Sequence, residues 1–297
     1  MSKLDNYFMK PQEVQGVGLV YPVKLYDYER FKELAMRYVV LDIKSLNNFQ
    51  KQNKLGILPF DNLYDFLVER IKANEYNIAF INEQSKMLEG FTEEQVVKIM
   101  GENEDIKTYF SLVQNFVNVK GELCELICFT VKNNVCFDFN SNSFLITNEE
   151  NELIGVINKD NFYTYREKIM EQNVLFEPRI APNKRSQEML DKKFKKKGNG
   201  AESDLEAIVA LVSTAAHVDV SNYTYYRLMA DFYSIIKQKE YDGFFVFKAN
   251  GVTTKNGGDL KAPDLTEKLD ILYNPFAFEN VYKKHEETEL DRQLSNR

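Results

Sequence analysis

Residues 121–160 read GELCELICFTVKNNVCFDFNSNSFLITNEENELIGVINKD. Four short runs rich in β-branched and aromatic residues are separated by Asn, Ser, Asp and Glu. They are GELCELICFTV, NVCFDFNSN, SFLITNEEN and ELIGVINKD. Runs of this length between polar clusters read as strands, and 133–134, 140–142 and 148–151 read as turns. The stretch is therefore expected to form an antiparallel meander of four strands near 121–158. That expectation makes the fold α+β.

Toward the N-terminus the spacing is helical. FTEEQVVKIMGE (91–102) sets Thr92 three residues before Gln95, the interval of a capping box. Asp61 is placed to begin a helix carrying Leu63, Phe66, Leu67 and Ile71. Asp27 is placed to cap another, with Tyr28, Phe31, Leu34, Ala35 and Tyr38 on its inner face. Before it, GVGLVYPVKL (16–25) is β-rich, and Pro22 confines it to an edge strand or an arm.

Toward the C-terminus, Asn158 or Asp160 is placed to cap a helix over 162–173. Residues 177–203 hold prolines, a basic cluster and GNG, the composition of a linker. Ser203 or Asp204 then starts a helix (204–217) with Leu205, Ile208, Val209, Val212 and Ala216 on its apolar face. Next comes VSNYTYYRLMADFYSII (220–236). Tyr225, Leu228, Met229, Phe232, Ile235 and Ile236 form one helical stripe, and Tyr223, Tyr226, Ala230 and Tyr233 an adjacent one. Arg227 and Asp231 are left for solvent. FFVFKANGV (244–252) reads as an extended run, 253–263 as a loop, and a polar helix is expected from about Phe278. The expected organisation is an α+β domain (1–176) containing the meander, a basic linker (177–203), and a mainly helical domain (204–297).

Composition narrows the function. The chain has 297 residues and a net charge of −7, enough to bury a sizeable core and the wrong sign for a nucleic-acid binder. No apolar run reaches the roughly 18 residues of a membrane span, and the N-terminus shows no signal peptide. Three cysteines without secretory context predict a reducing cytoplasm.

Residues that could carry chemistry are sparse. Cys124, Cys128 and Cys136 lack metal-ligand spacing and read as small core hydrophobes. His217 sits at a helix C-terminus, where its protonated form is favoured, and His285 lies in a charged tail. GVG (16–18) and KNGGD (255–259) lack the strand-to-helix context of a phosphate loop. No catalytic residue, metal or cofactor is expected. Tyrosines between acidic residues make a poor base-stacking platform, so nucleic acid is not expected either. The basic run, with Lys192, Lys193, Lys195, Lys196 and Lys197, reads as a solvated linker helix or an electrostatic contact. The tyrosine-rich helix reads as packing or as a groove for a partner protein.

The order of these segments resembles tail or baseplate assembly proteins of the tail-assembly-chaperone kind from phages of Gram-positive hosts. The pairing of LEAIVALVS (205–213) with YTYYRLMADFY (223–233) carries most of that resemblance. It implies a non-enzymatic factor, acting in the host cytoplasm during assembly. Such a factor binds a hydrophobic tail component, such as the tape-measure protein or a baseplate component, before polymerisation. The partner-binding residues expected on that basis are Tyr223, Tyr226, Phe232 and Tyr233, supported by Leu205, Ile208 and Val212, and the protein is a candidate oligomer. The rival readings are a structural tail or baseplate protein retained in the virion tail, and an enzyme whose site forms only in space, for example from carboxylates around the meander.

Overall fold

A computed structural model describes residues 3–52, 60–92, 103–177, 204–253 and 260–266, together with 95, 96, 99, 185–189 and 192. The described chain is a mainly helical α+β structure with 60% helix and two small antiparallel sheets.

Helix α1 (Lys3–Tyr7) leads into the hairpin β1 (Gln12–Val14) and β2 (Gly18–Val20), with Gln12 opposite Val20. Helix α2 (Leu25–Tyr38) buries Tyr28, Phe31, Leu34, Ala35 and Tyr38, the five residues that its spacing selects. Asp27 is not its cap. The N-cap position is Lys24, which makes no side-chain cap bond. This start is held from outside instead: Lys24 bridges to Thr224, and the Leu25 N–H donates to the Tyr223 carbonyl at 2.8 Å.

Helix α3 (Ile43–Gln52) precedes α4 (Leu63–Leu88), whose 26 residues span about 39 Å. Asn62 rather than Asp61 caps α4, its Oδ1 accepting the Asp65 N–H at 2.9 Å. Leu63, Leu67 and Ile71 are buried as expected. At 92–95 the capping box forms: the Thr92 N–H donates to Gln95 Oε1 at 2.9 Å, and the Gln95 N–H to Thr92 Oγ1 at 3.4 Å. Helix α5 (Glu104–Gln114) follows.

The first run of the expected meander is a helix, α6 (Val119–Val131). The Asn118 side chain accepts the Gly121 N–H at 2.9 Å and starts it, and Lys132 ends it in the left-handed region. Leu123, Leu126, Ile127, Thr130 and Val131 are all buried. A helix covered on more than one side carries no single apolar stripe, and a short apolar run of this kind reads equally as a buried strand.

The meander therefore has three strands: β3 (Asn134–Asp138), β4 (Ser143–Thr147) and β5 (Leu153–Ile157), in that order. Its turns fall at the expected polar clusters, with Asn142 and Asn151 at positive φ, where Asn is tolerated. The β1–β2 turn lies against β5. The Val156 N–H donates to the Gly16 carbonyl at 2.8 Å, and a Cβ at Gly155 would sit 2.3 Å from the Val17 oxygen.

Helix α7 (Phe162–Gln172) follows as expected, but neither Asn158 nor Asp160 caps it. Asn158 Oδ1 instead accepts the N–H groups of Asp160 and Asn161, closing the preceding turn.

Helix α8 (Leu205–Ala216) is capped by Asp204, as read. Helix α9 (Tyr225–Ala249) is capped by Thr224 and runs through most of the stretch expected to be extended (244–252). Between Ile236 and Ala249 there is no proline, and a lone Gly243 costs a helix only about 1 kcal/mol. The main core gathers α2, α4, α6, α7 and both sheets, and partly buried Leu205 and Tyr225 pack against it. The expected helix from Phe278, most of 254–263 and most of the basic linker lie outside the described residues.

Candidate partner-binding groove

Helices α8 and α9 share a small core of their own in Ile208, Val212, Val220 and Leu228. The residues that the sequence singles out distribute around it. Ile208, Val212 and Tyr226 are buried. Leu205, Tyr223 and Phe232 are half-buried against the same cluster. Tyr233 is the most open of the tyrosines named, 41% exposed. Tyr223 precedes α9 rather than lying on it. The residues thus come together chiefly as packing within the chain.

Arg227 and Asp231, expected to face solvent, fasten α1 instead. The Arg227 guanidinium stacks 4.1 Å from the Tyr223 ring centroid and 5.4 Å from that of Tyr7, and the Tyr7 hydroxyl donates to Asp231 at 3.0 Å. Burial raises the Tyr7 pKa, and the Asp231 carboxylate raises it further.

The open surface lies on another side of the helix pair. A groove of about 840 Å³ is lined from α8 by Ala210, Leu211, Thr214 and Ala215. From α9 it is lined by Ile235, Ile236, Gly243 and Phe247, with the charged pair Lys239 and Glu240. Beside it α9 carries Phe245 and Val246, which like the groove residue Phe247 are each at least half exposed. The signal was present in the sequence: Ile236, Glu240, Gly243 and Phe247 keep helical spacing. The run FFVFKANGV (244–252) hides it, because consecutive apolar residues read as extended chain.

Other sites are weaker in chemistry. Cys124 and Cys128 are half-buried and Cys136 is exposed. Burial, with Cys128 and Cys136 nearby, pushes the Cys124 thiol up to about 12, which keeps it protonated and a poor nucleophile. Among the described residues no group of three or more His, Cys, Asp or Glu could hold a metal ion.

A polar cleft beside the β3–β4 turn holds Asp65, Glu69, Lys72, Lys159 and Asp160. Four of its charges form two ion pairs: Lys159 lies 2.7 Å from Asp65, and Lys72 lies 3.0 Å from Glu69. The Lys159 ammonium holds the Asp65 carboxyl below the ordinary carboxylate value. Asp65 is thus held ionised rather than poised near neutral pH. Of the linker lysines, Lys192 is helical and exposed; Lys193, Lys195, Lys196 and Lys197 lie outside the described residues. No described helix is long and apolar enough to cross a membrane.

The chain matches no family model, no curated protein and no solved structure.

Proposed function

We propose that the protein is a non-enzymatic phage tail or baseplate assembly factor. It holds an apolar helical segment of a tail component, such as the tape-measure protein, until polymerisation. The observation that supports this reading is the open apolar groove on α8 and α9. Among the described residues the groove is left uncovered, and an exposed apolar groove with charged residues at its edge is a surface that a partner can fill. A groove lined by two helices, with small residues at Ala210, Ala215 and Gly243, suits an amphipathic helix laid into it. The net charge of −7 keeps such a complex soluble. The site of action is then the host cytoplasm during assembly.

The test is affinity capture of the tagged protein from phage-producing cells, with mass spectrometry of both the captured proteins and purified particles. Tail proteins captured by the wild type and lost with Phe247→Glu, from a chain absent in finished particles, are the expected result. Presence in particles at a fixed ratio would instead make it a structural tail protein. Capture of no tail protein by the wild type would end the assembly reading.

A further inference from the structure

We draw no further inference here: the strongest candidate, the apolar groove between α8 and α9 with the exposed Phe245 and Val246 beside it, belongs to the site already described, and nothing in the structure shows what covers it.

Discussion

The ring of Tyr28 in α2 lies face to face with that of Tyr225 in the first turn of α9, centroids 4.6 Å apart and planes 1° from parallel. Tyr28 is buried, and its hydroxyl donates to the Asn173 carbonyl at 3.1 Å. Burial pushes the Tyr28 phenol well above its ordinary pKa. Tyr225 thus closes the core that α2 opens, and the helix pair docks through a ring rather than through an ion pair. Tyr225→Ala should cost about 2 kcal/mol, from lost burial and lost stacking. Tyr225→Phe should stay within about 0.5 kcal/mol of wild type. Urea unfolding of both variants checks this, and equal losses would show that the ring contact is not what holds the junction.

Two glycines should respond oppositely to the same substitution. At Gly155 the added Cβ would meet the Val17 carbonyl oxygen at 2.3 Å, a backbone atom that cannot swing aside. Gly155→Ala should therefore destabilise by about 1–3 kcal/mol, by forcing the β1–β2 turn off β5. Gly243 is inside α9 and its Cβ would enter open space. Gly243→Ala should stabilise by up to about 1 kcal/mol through helix propensity. Thermal unfolding of the two single variants reads both signs.

Glu122 predicts an acid limb. Burial alone would raise its pKa, but hydrogen bonds from Tyr38 and Arg37 outweigh that and hold it below the ordinary value. The Tyr38 hydroxyl donates at 2.5 Å, and Arg37 Nη1 donates to both carboxylate oxygens at 2.8 and 2.6 Å. A depressed folded pKa stabilises above the unfolded value of about 4.3, and that contribution is lost as pH falls through the folded value. Wild type should therefore be more stable than Glu122→Gln at neutral pH, and the two should converge as pH falls through the folded value. Curves that stay parallel from neutral to acid pH would refute the linkage.

Local spacing was legible where one side of an element is wet. The inner faces of α2 and α4, the Thr92–Gln95 box and the Asp204 cap all follow from residue types at fixed intervals. Reading failed where burial or a run of apolar residues removed the pattern. Helix α6 is buried too widely to show a stripe, and its β-branched residues mimic a strand. The end of α9 sets Phe245, Val246 and Phe247 on successive faces, so no single apolar stripe marks it as a helix. Caps shifted by a residue or more: Asn62 rather than Asp61 caps α4 through its own side chain, and at Lys24 neighbouring chain rather than a local cap holds the start of α2. The tyrosine face was visible in the sequence, but which of its rings reach the surface depends on α1 and α2, which no local window contains.

Three substitutions separate packing from binding on the helix pair. Tyr226 is 3% exposed and packs beside Ala230 against Tyr7 and Val174. Tyr226→Ala should cost about 3 kcal/mol, and any loss of partner capture should follow the loss of fold. Tyr233 is 41% exposed, so Tyr233→Ala should change stability by no more than about 0.5 kcal/mol. Phe247 lines the groove and is 56% exposed. Phe247→Glu should likewise leave stability nearly unchanged, while a charge in the apolar groove weakens capture of tail proteins at least roughly tenfold. Unfolding midpoints and capture yields measured side by side resolve the three. If Tyr233→Ala removed capture from a folded protein and Phe247→Glu did not, the contact face would be the tyrosine side of α9 and the groove would be unused.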